Sequence, residues 1–151
     1  MSVEQSTFRI IDRIYQASLD LSVWNEVLKQ LADHLNAQSA MMRVFNKHHG
    51  IGFSISHGYE QRYLEQYRDY FVKVDPIQKA LEQMSDSLVL PQQAVMPMKD
   101  FYRSEFFNDF VKPQEKSHTI GGAFFKTDNS SVQFGIQRNL GQPLYDQKEV
   151  D

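Results

Sequence analysis

The sequence predicts an α+β fold, a single domain of about five short antiparallel strands with helices between the hairpins. Three observations carry this. The hydrophobic period is helical over the first 36 residues and then switches to two. Two pairs of alternating segments flank the turn-forming stretches KHHG and TDNS. The connections within these pairs are too short for the crossover that parallel neighbours need.

Each element follows in order. Phe8, Ile11 and Tyr15, with Ile10 and Ile14 beside them, repeat at helical steps and predict a helix near 5–18. After a break at 20–22, Trp24, Val27, Leu28, Leu31 and Leu35 predict a second helix ending near Asn36, with Ser22 as its N-cap. Ala40, Met42 and Val44 then alternate with Met41, Arg43 and Phe45. Beyond the turn, Ile51, Phe53 and Ile55 alternate with Gly52, Ser54 and Ser56, giving a hairpin with one polar face.

From Glu60 to Lys73 the helical period returns, carrying Tyr63, Leu64, Tyr67, Tyr70 and Phe71. Asp75 as N-cap and Pro76 at the first position start a further helix to about Met84. Residues 87–90, SLVL, form a short strand, and Pro91 and Pro97 hold an extended loop. Residues 98–111 make one or two short helices loaded with Phe101, Phe106, Phe107 and Phe110, ended by Pro113. The second hairpin spans 117–126 and 131–138, with Val132, Phe134 and Ile136 alternating against Ser131, Gln133 and Gln137. From Tyr145 the tail begins a helix.

Composition sets the limits. At 151 residues, 41% hydrophobic and 23% charged, the chain buries a core without staples and is neither disordered nor a coiled coil. Lys+Arg 16 against Asp+Glu 19 leaves −3, whereas a phosphate-gripping surface is basic, so nucleic acid is not the direct ligand. With no cysteine there is no disulfide, thiol catalysis or cysteine-ligated zinc. No apolar run approaches a membrane span and the first residues do not read as a signal peptide, so a cytoplasmic location without membrane contact is expected.

Catalytic signatures are missing: there is no GxxxxGK, GxGxxG, GxSxG or HExxH. No catalytic residue and no cofactor is expected. His48 and His49 are adjacent in a turn, where their rings point apart, so they read as solvated residues and not as metal ligands. Gly121-Gly122 inside a strand marks a bulge or a close approach by another group, a ligand included; a bulge needs no partner and is preferred. The helical middle is the most informative stretch. Tyr63, Tyr67, Tyr70 and Phe71 crowd one helix, Asp75 follows, and four phenylalanines and Tyr102 come after. Tyr hydroxyls beside a carboxylate suit a pocket with an apolar body and a few polar contacts, while core packing and simple helix capping explain each residue singly.

The stretches YLEQYRDYFVKVDPI, FYRSEFFNDFVKPQEKSHTIGGAF and FGIQRNLGQPLYDQKEVD, in this order, resemble the N-terminal sensor domain of LuxR-type transcriptional regulators over most of 60–151. The resemblance implies a PAS- or GAF-like α/β/α sandwich around a five-stranded antiparallel sheet. It also implies a homodimer and a C-terminal helix-turn-helix DNA-binding domain, which would lie beyond these residues in a truncated chain. Lactone-binding members carry a Trp, a Tyr four residues on and an Asp before a proline. Tyr63, Tyr67 and Asp75 stand at these positions, with Tyr in place of Trp, so the ligand itself is not carried over.

The expected function is a small-molecule-sensing regulatory domain. Tyr63, Tyr67 and Asp75 are its predicted polar contacts and Phe53, Phe101 and Phe125 its apolar walls. A ligand-free dimerisation module is the alternative and a small enzyme a more distant one. A cavity beside the Tyr-rich helix favours the first, and a filled interior the second.

Overall fold

The structure is a computed structural model and describes residues 2–151. Helix α1 (Val3–Leu19) begins in a capping box, in which the Ser2 hydroxyl accepts from the Gln5 amide and the Gln5 side chain accepts from the Ser2 amide. Asp20 closes it, accepting from the amide and hydroxyl of Ser22 and starting a 3₁₀ turn that runs into α2 (Trp24–His34). The capping side chain at this junction is therefore Asp20, not Ser22. The α1 stripe is also turned about. Ile10 and Ala17 are the buried positions, while Phe8, Tyr15 and Leu19 face outward.

Strands β1 (Ser39–Asn46) and β2 (Gly50–His57) form the first hairpin; β3 (Leu88–Pro91), β4 (Lys116–Phe124) and β5 (Ser130–Asn139) complete the sheet. All pairings are antiparallel, in the order β2-β1-β5-β4-β3. The fold class is α+β, a five-stranded antiparallel sheet between helical layers, as the sequence leads one to expect.

Helices cover both faces. On one side Ala40, Ile120 and Ile136 of the sheet pack with Leu28 and Ala32 of α2 and with Tyr145, whose hydroxyl donates to the Ile136 carbonyl at 3.0 Å. On the other lie α3 (Gln61–Asp69), α4 (Pro76–Gln83), α6 (Met98–Arg103) and a π-helical turn, Phe106–Val111, around an aromatic cluster that includes Tyr67, Phe101, Phe106 and Phe110. The wider π turn directs Phe106, Phe107, Phe110 and Val111 inward within six residues. The residues between Pro91 and Pro97 are not extended, since Gln92–Val95 form the one-turn helix α5 with Pro91 at its N-cap, where no amide is needed. Pro113 sits inside a 3₁₀ turn, and the chain turns at Glu115, φ 58°. The tail is the short helix α7 (Gln147–Val150), capped by Asp146.

The register runs unbroken through Gly121-Gly122, which pair with Leu90 and Val89 on one side and Gly135 and Phe134 on the other. The bulge expected there lies instead between Lys116 and Thr119. What the glycines admit is their neighbours' backbone: a methyl at Gly121 would overlap the Phe134 carbonyl oxygen, and one at Gly122 that of Leu88. Gly121→Ala should therefore lower stability by about 1–3 kcal/mol in urea unfolding. Gly52→Ala, whose methyl would meet nothing nearer than the Val44 carbonyl at 3.8 Å, should leave it nearly unchanged.

Candidate functional site

Arg43 and Val44 occupy opposite faces of β1, and the layers decide which is dry: Val44 is exposed and Arg43 only 5% exposed. Arg43, Gln133 and Thr119 project from three neighbouring strands toward α3, α4 and the π turn, and a cavity remains between these layers. It contains about 940 Å³ of non-atom space, open solvent at its mouth included. Within it, about 100 Å³ accepts the centre of a water molecule; one buried water needs only ~10–15 Å³. The wall is apolar along Leu64, Ile77, Leu81, Met84, Leu90, Val95, Phe106 and Phe110.

At the polar end, Asp75 is both helix cap and site residue. Its Oδ1 accepts from the Ile77 amide at 2.8 Å, starting α4, and its Oδ2 accepts from the Tyr67 hydroxyl at 2.7 Å. Arg43 lies 4.8 Å over the Tyr67 ring, donates from Nε to Gln133 Oε1 at 3.0 Å and from Nη2 to Gln78 Oε1 at 2.6 Å. Gln133 in turn donates to Ser131, and Gln78 to Glu82. Further round the wall, the Tyr59 hydroxyl donates to Gln137 at 2.9 Å, and the Gln92 side chain accepts from the Thr119 amide at 3.1 Å.

Burial governs the titrations here. It pushes the Asp75 carboxyl above the ordinary carboxylate value, against the opposing pull of Arg43, the Tyr67 hydroxyl and the backbone amides. Burial, and then the Asp75 charge, hold Tyr67 well above an ordinary phenol, so it stays a donor. Tyr59 is pushed up to about 12 by burial.

Of the six residues predicted from sequence, Tyr63, Tyr67 and Asp75 line the cavity. Phe101, 0% exposed, stands behind the wall, packed on Phe106 and Phe107, and supports it without lining it. Phe53 and Phe125 are not walls. One extra residue on β2 between Ile51 and Ser54 breaks the alternation, sending Ile51 to the aromatic cluster and Ile55 to the opposite core and leaving Phe53 50% exposed. Phe125 follows the end of β4 with φ 51°, which swings it out to 80% exposure. His48 and His49 lie in the exposed turn, where Asn46 accepts from both amides. Arg43, Gln133, Gln92 and Thr119 escape a pattern reading, because a polar residue alternating with apolar ones ordinarily faces water. Their one signal is that both β1 faces are rich in apolar residues, which implies cover on both sides.

No protein-family model and no curated protein matches the chain. Solved structures do. The LBD domain of VqsR from Pseudomonas aeruginosa matches with a TM-score of 0.68 at 10% identity, over 89% of this chain and 79% of that one. CepR2 from Burkholderia cenocepacia, an N-acylhomoserine lactone dependent LuxR family transcription factor, matches with 0.70 at 9%, over 97% and 85%. SdiA from Escherichia coli matches with 0.60 at 11%, over 83% of this chain and 51% of its own, and SdiA in complex with octanoyl-rac-glycerol also matches. The chain has the fold of the ligand-binding domains of LuxR-type regulators.

The raised Asp75 carboxyl predicts a pH signature. A group whose folded pKa exceeds its unfolded value, near 3.8, stabilises most below that value and loses the contribution as pH rises through the folded pKa. Asp75→Asn keeps the cap and an acceptor for Tyr67. Its stability relative to wild type, measured by urea midpoints from acid to neutral pH, should therefore rise with pH.

Proposed function

We propose that this chain is the small-molecule-sensing domain of a LuxR-type transcriptional regulator, binding an amphiphile between its sheet and the Tyr-rich helix α3. The observation that carries the reading is the cavity itself, apolar along most of its wall and lined as well by the polar group of Arg43, Tyr67 and Asp75. This is the division of labour in small-molecule sites, where apolar surface gives affinity and a few fixed polar groups give orientation. The likeness to CepR2 and SdiA supports an acyl tail as the apolar part. In this reading Tyr63, Tyr67 and Asp75 contact the polar head.

Binding acts on output through differential affinity for two arrangements of the domain. Two features belong to the same proposal. The protein works in the cytoplasm, in keeping with the lack, among the described residues, of a helix long and apolar enough to cross a membrane. The DNA-binding domain lies outside these residues, and the chain spans about half the length of the SdiA chain it resembles. The function is one of binding, without catalysis.

The outward stripe of α1, Phe8, Ile11, Tyr15 and Leu19, supports a homodimer as the regulated state. Sedimentation should give a dimer at micromolar concentration and a monomer for Phe8→Glu/Tyr15→Glu; a monomeric wild type removes this part. For the site, octanoyl-rac-glycerol and an N-octanoyl homoserine lactone should raise the thermal midpoint of the wild type. Tyr67→Phe should respond with an affinity ~5–10-fold weaker, the value of one buried hydrogen bond. If neither amphiphile, nor octanoate, stabilises the wild type, the chain is an interaction module and not a sensor.

A further inference from the structure

Arg43 is the only cationic side chain on the cavity wall among the described residues, and no carboxylate among them stands within ion-pair distance of it. Both of its hydrogen-bond acceptors, Gln133 and Gln78, are neutral amides. Its Nη1 donates to none of the described residues, and Arg43 takes part in none of the four ion pairs found among them. Asp75, the only carboxylate on the same wall, has its two oxygens engaged by the Tyr67 hydroxyl and the Ile77 amide. Its charge also sits at the start of α4, where the helix N-terminus favours an anion, and Arg43 acts on it from beyond hydrogen-bond distance.

A guanidinium taken out of water is stable when its remaining donors meet acceptors, best of all charged ones. Its planar fork matches a carboxylate with two parallel hydrogen bonds. A neutral head group would need no arginine there, since a glutamine supplies the same donor at a lower desolvation cost. A single carboxylate meets less repulsion from Asp75 than a doubly charged phosphate ester would.

From this we infer that the cavity selects a carboxylate-headed amphiphile, its head on the Arg43 guanidinium and its tail along Leu81, Met84, Leu90 and Val95. Arg43 is the specificity-determining residue. The inference rests on the sensing reading above and narrows it to anionic ligands.

Calorimetric titration of the purified chain at neutral pH with octanoate, octanoyl-rac-glycerol and octylamine tests it. Octanoate should bind more tightly than the other two. Arg43→Gln should weaken octanoate ~10-fold or more and change octanoyl-rac-glycerol by less than ~3-fold, the difference between a charge-assisted and a neutral hydrogen bond. Binding of octanoyl-rac-glycerol without octanoate, or an octanoate affinity indifferent to Arg43→Gln, overturns the anionic head and leaves the sensing domain standing. Binding of none of the three by the wild type removes both. Should Arg43→Gln fail to fold by circular dichroism, the wild-type ranking of octanoate against octylamine and octanoyl-rac-glycerol decides.

Discussion

The inner strands of the sheet, β1, β5 and β4, bury residues on both faces, and that constraint organises everything else. A strand carries side chains to two sides, so a sheet covered twice must either be apolar throughout or contain its polar residues in an internal network. Here the α2 face takes the first course, with Ala40, Ile120 and Ile136, and the α3 face takes the second, with Arg43, Gln133 and Thr119. Arg43 is the junction, joining β1 to β5 through Gln133 and to α4 through Gln78, with its guanidinium over Tyr67 of α3. Four elements meet on one cation, and loss of any partner would leave a buried group unmatched, at about 1–3 kcal/mol or more.

Such a network limits how closely the layers can approach. Leucine and phenylalanine interdigitate at crystal-like density, whereas hydrogen-bonded groups hold fixed separations. The aromatic rings of the helical layer pack edge-on and tilted against each other, Tyr67 with Phe106 and Phe110, Phe101 with Phe107, and form a stiff wall above the polar floor. The space between wall and floor is what remains when neither can collapse onto the other. Gly121 and Gly135 line its floor beside Thr119 and Gln133.

The opposite face shows the contrasting solution, in which polar groups tie the C-terminal segment to the sheet and α2. Arg138 lies 4.0 Å over Tyr145, donates to the Leu35 and Pro143 carbonyls and pairs with Glu149 of α7. His118 adds a 2.8 Å contact to Pro143 and packs edge-on against Tyr145, its imidazole held below the ordinary value chiefly by burial. The C-terminal segment is thereby fastened to the α2 side, away from the cavity, and the two polar clusters lie on opposite faces of the same strands.

The sequence by itself determined most of the elements, though not the short helix α5 or the π-helical turn. The change of period at Ser39, the Asp75-Pro76 start of α4 and the two hairpin turns are local signals, and local signals fix local backbone. It also determined the cluster of Tyr63, Tyr67 and Asp75, because these residues share one helix and its successor. Which strand residues face the cavity was decided only in three dimensions. One extra residue in β2 expelled Phe53 and a left-handed residue expelled Phe125, while the helical layers turned Arg43 and Gln133 from polar-face residues into buried ones. The apolar stripe of α1 went outward for the same reason. Alternation tells one face from the other, but wetness belongs to whatever packs against that face, and those partners come from distant parts of the chain.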